Sequence, residues 1–395
     1  MSSAVYQEAR TAHYAGDYKK AAELARAAQK REPRSLDAFR LLGLAYIGQG
    51  KAHKALEVMH KGWEAHPNDP ILAANIAAQY WFIGQDDLAM KWIHRAPVTV
   101  ATAYTRSLLL LKYGDYERGW RDYDLRFEVG QSKLLMPRET MWDGKRLNPD
   151  DSLTIWSEQG VGDVVQFSRF IPLAKERAGC KIKFGVNPQT YRLFEGFTGV
   201  DELTRAVGGI HIPLMSLPRV LGVTLEDLSG ATYLMPSKRT ERNTELGRAP
   251  IVGLCWQSGT KGAEYADRNV PVRYLQGIRE MSPDVQCRNL QYGEDGFLPT
   301  DFYETAQAIA QCDLVITSDT SVAHIAGAMG IPTWIMLRYQ GCFRWLRERE
   351  DSPWYDSVKL YRQPNLGNWQ HVVDRVVTDL KELVNGRTNN NTCRA

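Results

Sequence analysis

The sequence predicts an α plus α/β chain, in which an array of helical repeats precedes two α/β lobes. Three observations indicate this. Glycine and proline positions recur with a fixed period in the first third of the chain, strands alternate with helices after residue 150, and a polar stretch at 237–249 divides that second part. A chain of 395 residues is long enough for two or three domains with their own cores.

The N-terminal repeat is visible in its turn residues. Gly16, Gly50 and Gly84 lie 34 residues apart, and so do Pro33 and Pro67. A 34-residue period is typical of the tetratricopeptide repeat, a helix–turn–helix unit. The Gly-Asp-Tyr of 16–18 recurs at 114–116 in a fourth, shorter unit. Residues 1–130 are therefore predicted to form three to four repeats, which either bind a peptide or protein partner or only support the next domain.

Composition and charge exclude several classes of protein. The net charge is +3, so no polybasic surface indicates nucleic acid or membrane binding, although a local basic groove remains open. The first ten residues lack the apolar segment of a secretory signal, and no apolar run approaches the ~20 residues that span a bilayer. The six cysteines have no zinc-type spacing. We therefore expect reduced thiols, no bound metal and a cytoplasmic location.

Residues 131–150 are predicted to be a linker, and residues 151–247 to be the first α/β lobe. A strand at 153–156 leads into Gly160, Gly162 and Asp163, and a helix is expected from there to about 178. Two glycines would let a substrate approach the backbone, but Val165 replaces the third glycine of a dinucleotide-binding fingerprint. Asp163 is either a first-turn carboxylate favoured by the helix dipole or a general base. A shorter helix is expected at 191–197.

Residues 248–385 are predicted to be the second α/β lobe, and 386–395 a disordered tail. A strand at 251–256 runs into a small basic loop that contains Lys261 and suits a phosphate, and Arg268 follows that loop. Further strands are expected at 285–290, 313–317 and 333–337, with helices at 302–311, 321–329 and 369–384. The tail is polar and rich in asparagine.

The most informative stretch of this lobe is the strand–loop–helix–strand unit at 313–337. Asp319, Thr320 and Ser321 lie where the strand ends and the helix begins, and His324 lies one turn into the helix. Ligands of open α/β sheets bind at such a point, and the free N–H groups of a helix start favour an anion such as a diphosphate. Helix caps and a packed structural histidine are the alternative interpretations.

Several segments together resemble a known family. They are GDYERGW, WSEQGVGDVVQFSRFIPL, ADRNVP, CDLVITSDTSVAHIAGAMG and RWLREREDSPWY. With them the chain resembles bacterial and phage proteins that join tetratricopeptide repeats to a heptosyltransferase-like glycosyltransferase of GT-B type. The resemblance implies two Rossmann-like domains, of which the first binds the acceptor and the second binds the nucleotide-sugar donor.

The resemblance also implies roles for individual residues. Asp163 matches the proposed catalytic base of the family's glycine turn, between Gly160 and the following helix. The implied donor and diphosphate site comprises Asp319, Thr320, Ser321, His324, Arg268 and Lys261. The family's acidic residue that contacts the donor sugar has no clear counterpart here, and Gln291 and Glu294 are the nearest candidates for contacts to the sugar or base.

Together, the sequence and the resemblance predict an inverting, metal-independent glycosyltransferase. It needs no cofactor, because a nucleoside diphosphate sugar is its co-substrate, and its acceptor is a saccharide, a protein hydroxyl or a modified nucleic acid base. The alternative is a tetratricopeptide scaffold whose GT-B domain binds nucleotide without catalysis. An NAD-type oxidoreductase is disfavoured by Val165. The sequence leaves open the donor sugar, its nucleotide base and the acceptor. It also leaves open the oligomeric state, for which a homo-oligomer is one alternative.

Overall fold

A computed structural model describes residues 2–235, 248–259, 267–281 and 284–392, with side chains described between 4 and 386. The chain divides into two compact units. Unit 1 comprises Met1–Tyr113 and Arg121–Gln131, and unit 2 comprises Gly114–Trp120 and Ser132–Ala395. Unit 1 is helical, whereas unit 2 is a mixed α/β region with parallel sheets.

Unit 1 is an array of helix pairs, as the 34-residue period predicts. Its helices are α1 Ser2–Tyr14, α2 Tyr18–Arg31, α3 Leu36–Gly48, α4 Ala52–Ala65, α5 Pro70–Phe82, α6 Asp86–Arg95 and α7 Val100–Lys112. The next helix, α8 Tyr116–Tyr123, is shared between the units. Gly16, Gly50 and Gly84 each lie in a turn with φ between 69° and 79°, a conformation that glycine adopts without steric cost. The period in the sequence therefore reports a backbone requirement.

Small residues let the paired helices of unit 1 approach closely. Ala21, Ala55 and Ala89, which are also 34 residues apart, are all completely buried. Between α6 and α7, Asp86 and Lys112 form an ion pair of 3.1 Å in which both side chains are almost inaccessible to water. Burying such a pair is tolerated only because each charge has its partner.

The first lobe of unit 2 is a four-stranded parallel sheet in the order β3-β2-β1-β4. Its strands are β1 Ser152–Trp156, β2 Lys181–Gly185, β3 Glu202–Thr204 and β4 Ile210–Pro213, and its helices are α9 Val161–Ser168, α10 Ile171–Ala178 and α11 Leu217–Leu221. The predicted linker at 131–150 is largely irregular, but Met141 forms a parallel bridge to His211 of β4.

Two helix predictions in this lobe are corrected. The helix expected to reach residue 178 is broken into α9 and α10, because Pro172 in the first turn of α10 cannot donate the N–H that a continuous helix requires. The helix expected at 191–197 is only a 3-10 turn, Arg192–Phe194. Its buried side chains, Leu193 and Phe194, are packed without a longer helix.

The second lobe is a five-stranded parallel sheet in the order β6-β5-β7-β8-β9. Its strands are β5 Ile251–Cys255, β6 Gln286–Asn289, β7 Leu314–Ser318, β8 Thr333–Leu337 and β9 Val358–Arg362. The helices are α12 Gln276–Arg279, α13 Phe302–Ala310, α14 Ser321–Ala328 and α15 Trp369–Thr392. The predicted strand–helix–strand unit is therefore β7–α14–β8, and every residue of β7 is buried.

The C-terminal helix runs further than the sequence indicates. Its apolar face, with Val372, Val376 and Leu380 completely buried, packs on the second sheet. The helix continues to Thr392, into the segment predicted to be the tail. Extending an existing helix fixes one residue per hydrogen bond and needs no new nucleus, so a polar sequence without proline can continue it. The predicted linker between the lobes lies mostly outside the described residues.

Candidate functional site

The site is built where α9 and α14 begin, one helix from each lobe of unit 2. The strand before α9 is β1 and the strand before α14 is β7, and both are inner strands of their sheets. The two helices pack against each other. A Cβ atom placed on Gly162 of α9 would lie only 2.7 Å from Cδ2 of His324 in α14. Two residues that the sequence singles out for separate reasons are therefore direct neighbours.

The contact with His324 explains the glycine at 162 in a different way from the sequence prediction. The sequence predicts a glycine turn that lets a substrate approach the backbone, but the imidazole of His324 occupies the space beside Gly162. Gly160 is less restricted, since a Cβ atom there would meet only Oδ2 of Asp163, at 3.4 Å. The requirement for glycine is thus strict at 162 and weak at 160.

Both carboxylate oxygens of Asp163 accept hydrogen bonds. Oδ2 accepts the backbone N–H of Gly160 at 3.1 Å, which satisfies a donor at the start of α9. Oδ1 accepts a hydrogen bond from Nη2 of Arg344, which lies on the 3-10 turn Phe343–Trp345 after β8. The carboxylate therefore acts as a first-turn cap and as one half of an ion pair between the lobes. Arg344 is a site residue that the sequence analysis missed.

His324 is held rigidly in a buried position. Its Nδ1 is hydrogen bonded to the Tyr355 hydroxyl at 2.9 Å, and its ring stacks on Trp345 with centroids 5.1 Å apart and an interplanar angle of 22°. Burial lowers the pKa of His324 to about 4, although the negative charges of Asp319 and Asp163 oppose that shift. The ring is consequently neutral at pH 7.

Asp319 lies beside the start of α14 and remains charged. Burial alone would raise its pKa, but the positive charge of Arg268, with smaller contributions from a hydrogen bond with Trp345 and the charge of Arg344, brings the pKa below its usual value. Nη1 of Arg268 is 3.9 Å from the Asp319 carboxylate. Arg268 therefore lies beside the residue that precedes the N-cap of α14, whereas Lys261 lies outside the described residues.

The start of α14 has first-turn backbone N–H groups, of which that of Ala323 donates to the Thr320 carbonyl oxygen at 3.1 Å. Thr320 is the N-cap, yet its side chain accepts no hydrogen bond from the first turn. Its hydroxyl instead lies 3.2 Å from Oγ1 of Thr317 and 3.9 Å from Sγ of Cys255. Ser321 follows at the first helical position and is partly exposed. First-turn N–H groups of this kind are suited to an anion.

Gln291 and Glu294 follow β6 and lie in different settings. Oε1 of Gln291 accepts the backbone N–H groups of Trp256 and Gln257, at 3.2 and 3.0 Å, so it fixes the chain where β5 ends. Glu294 lies in an exposed turn, where its carbonyl accepts the N–H of Phe297. The structure thus gives the carbonyl oxygen of Gln291 a structural task and leaves the Glu294 side chain facing solvent.

A second missed residue, Arg169, connects the lobes directly after α9. Its guanidinium donates to the carbonyl oxygens of Ser229 and Trp354, at 2.8 and 2.6 Å. Its Cζ atom lies 4.5 Å from the ring centroid of Tyr233 and 5.0 Å from that of Tyr355, which is the partner of His324. Arg169 therefore holds the segment that orients the candidate histidine.

Gln166 adds an unused polar group to α9. It lies one turn after Asp163, its side chain is completely buried, and neither its amide nitrogen nor its amide oxygen has a hydrogen-bond partner within the described residues. Residues three and four apart share a helix face, so Gln166 lies on the same side of α9 as Gly162 and Asp163.

Within the described ranges, no group of three or more histidine, cysteine or acidic residues could hold a metal ion. The five cysteines of those ranges are free thiols. None of the helices described is both long and apolar enough to cross a membrane.

Comparison with known proteins identifies the repeats. Residues 12–97 match the family model of the tetratricopeptide repeat. Protein FlbA of Caulobacter vibrioides is 26% identical over 332 residues, an alignment that covers 71% of this chain. The chain spans only 55% of that relative.

Solved structures resemble the chain over about a third of its length. A tetratricopeptide repeat protein of Thermus thermophilus is 22% identical, with a TM-score of 0.30 over 32% of this chain and 73% of its own. A tetratricopeptide repeat protein of Parabacteroides merdae is 23% identical, with a TM-score of 0.29 over 34% of this chain and 55% of its own. The MamA protein is 16% identical, with a TM-score of 0.28 over 33% of this chain and 74% of its own.

Proposed function

We propose that unit 2 is an inverting glycosyltransferase of GT-B type, which moves a sugar from a nucleoside diphosphate sugar to an acceptor hydroxyl. The observation that carries the proposal is the meeting of α9 and α14. Both helices begin at the carboxyl ends of inner parallel strands, so Asp163 of one lobe and the Asp319–His324 stretch of the other lie at one junction. Ligands of α/β folds bind at such ends of the strands.

The donor diphosphate would bind at the start of α14. The first-turn N–H groups there lack a side-chain acceptor from the N-cap, and Arg268 supplies a positive charge beside Asp319. The helix end itself carries the equivalent of about half a positive charge. In this proposal Ser321 completes the anion site. His324, being neutral, would orient the donor without adding charge.

Asp163 would act as the general base. Its carboxylate takes the proton of the acceptor hydroxyl while the acceptor oxygen bonds to the anomeric carbon of the donor sugar. The bond from that carbon to the diphosphate oxygen breaks at the same time, which inverts the configuration and releases the nucleoside diphosphate. The helix end and Arg268 would stabilise the charge that develops on the leaving oxygen, the task that a metal ion performs in other enzymes.

One observation favours the second candidate, a scaffold whose nucleotide-binding lobe has no catalytic role. Both oxygens of Asp163 are already engaged, one by the Gly160 N–H and one by Arg344. A carboxylate used only in this way would be structural. The tetratricopeptide repeats fit either candidate, since we propose that they recruit a protein, which is the acceptor in the first case and a binding partner in the second.

The release of nucleoside diphosphate from UDP-, GDP-, ADP- and dTDP-sugars distinguishes the candidates. Asp163→Asn is the test variant, because asparagine can still accept the Gly160 N–H but cannot take a proton. Loss of a general base should reduce the release from the preferred donor by about 10²–10⁴-fold. Asp143→Asn, at an exposed position in the linker, is the matched control and should retain the wild-type rate.

Two results would contradict the enzymatic proposal. If the wild type binds a nucleoside diphosphate but releases none from any donor, the scaffold interpretation replaces it. If Asp163→Asn turns over at the wild-type rate, Asp163 is not the base.

A further inference from the structure

The contact between Arg344 and Asp163 has a consequence for donor binding. We infer that Arg344 is a ligand of the donor diphosphate, and that it exchanges the Asp163 carboxylate for the diphosphate when the donor binds. The inference rests on the proposed function, and it adds a binding residue and a step that couples donor binding to the release of Asp163.

The position of Arg344 supports this exchange. Its neighbour Trp345 stacks on His324, so the Phe343–Trp345 turn lies over the first turn of α14. The charge of Arg344 is close enough to Asp319 and His324 to lower the pKa of both groups. The guanidinium of Arg344 thus contacts the carboxylate of α9 and lies within electrostatic reach of Asp319, beside the predicted diphosphate site.

The charges of the described site residues are paired. Arg344 is paired with Asp163, and Arg268 lies beside Asp319. An incoming diphosphate brings at least two negative charges, and the guanidinium groups that would bind it already lie beside carboxylates. Arginine suits this task because its planar fork binds phosphate in a bidentate manner and its charge is permanent. Of the two guanidinium groups, that of Arg344 holds the carboxylate that the reaction needs.

The exchange also explains how Asp163 becomes available. While Arg344 is bound, Oδ1 is an acceptor in an ion pair and Oδ2 caps α9. Transfer of the guanidinium to the diphosphate frees Oδ1 for the acceptor hydroxyl. The buried amide of Gln166, which has no partner among the described residues, lies on the same face of α9 as Asp163. The base would therefore be freed only when a donor is present.

The test is a double-mutant cycle on diphosphate affinity, measured by calorimetry on the full chain. The probes are inorganic pyrophosphate and the diphosphates of uridine, guanosine, adenosine and thymidine. Arg344→Gln should weaken binding of the best probe by about 10–100-fold, the value of hydrogen bonds to a charged group. Asp163→Asn should tighten binding by about 3–10-fold, because Arg344 no longer has to leave an ionised partner.

The double variant separates exchange from simple electrostatics. If Arg344 moves to the diphosphate, Asp163→Asn gains less affinity in the Arg344→Gln background than in the wild type. If the ion pair stays fixed, the order is reversed, since removing Arg344 leaves Asp163 uncompensated and its neutralisation then helps an anion more. That reversed order, or equal gains, would overturn the inference while leaving the glycosyltransferase proposal intact.

Two further variants distinguish a missing diphosphate contact from a loss of affinity that is caused by misfolding. Arg344→Lys keeps the charge but not the fork, and it should bind with an affinity between those of the wild type and Arg344→Gln. Arg349→Gln breaks an exposed ion pair with Asp351 in the next segment and should not change the affinity. If no probe binds the wild type, the proposed donor site and the exchange both fail.

Discussion

Replacing Gly162 by alanine should destabilise unit 2 through a clash with His324. The new Cβ atom would lie 2.7 Å from Cδ2 and 3.4 Å from Nε2 of the imidazole. The ring cannot move away easily, because it is stacked on Trp345 and hydrogen bonded to Tyr355. Overpacking of a rigid contact costs about 1–3 kcal/mol. The higher helix propensity of alanine, at most about 1 kcal/mol, offsets part of this cost. We expect a net loss of about 1–2 kcal/mol in the free energy of unfolding.

The matched control is Gly160→Ala, two residues earlier. There the new Cβ atom would have only an ordinary contact, 3.4 Å from Asp163, and the φ of −84° suits any residue. A change within about 0.5 kcal/mol is expected. Urea unfolding of the full chain, followed by tryptophan fluorescence, compares the two variants through their midpoints and slopes.

Repeating Gly162→Ala in a His324→Ala chain tests whether the imidazole ring causes the loss of stability. In a His324→Ala chain the clash partner is absent, so adding Gly162→Ala should cost nothing or stabilise slightly. The expected coupling between the two sites is about 1–2 kcal/mol. The reasoning is refuted if Gly162→Ala and Gly160→Ala are equally stable, or if the penalty of Gly162→Ala persists when His324 is alanine.

Three further changes, at His324, Asp86 and Arg169, should alter the stability of the chain. Because the pKa of His324 falls to about 4 in the folded chain from 6.5, the unfolded chain binds more protons between these values, so the free energy of unfolding should fall as pH drops from 6.5 towards 4. The loss would be about 3 kcal/mol at most, and His324→Asn should remove this part of the pH dependence in urea titrations at pH 7 and 4.5. Asp86→Ala leaves Lys112 buried without its ion-pair partner and should cost about 3–5 kcal/mol, whereas Asp86→Ala with Lys112→Met should recover most of that loss in thermal unfolding. Arg169→Lys should cost about 1–3 kcal/mol by urea titration, because an ammonium cannot reach both carbonyl oxygens and the aromatic rings, and unchanged stability would contradict this.

The sequence predicts unit 1 well because its constraints are local. A left-handed turn requires glycine and a close helix contact requires alanine, and each requirement recurs with the repeat, as at Gly50 and Ala55. The β7–α14–β8 unit is predicted for the same kind of reason. Its strand is continuously apolar, and Gly330, with φ of 68°, ends the helix.

The contacts that complete the site are not local, and periodicity carries no information about them. Arg344 and Asp163 are separated by 181 residues, and Arg169 and Trp354 by 185. The segment around Arg344 contributes to the resemblance, but nothing in its spacing indicates that one guanidinium faces Asp163. The glycine at 162 indicates that some group lies close to the start of α9. The sequence does not show whether that group is a substrate or a side chain such as that of His324.

The neutrality of His324 connects these observations. A protonated imidazole beside the start of α14 would attract a diphosphate, yet burial keeps this ring neutral at pH 7, so the described positive charge near the helix start comes from Arg268 and Arg344. The same burial results from the stack on Trp345 within the second lobe and from the contact with Gly162, which joins the two lobes. In this arrangement His324 contributes shape and orientation, while the guanidinium groups contribute charge. A ligand that binds here would compete with carboxylates for arginine, so its affinity should depend on Asp163 and Asp319 as well as on the arginines themselves.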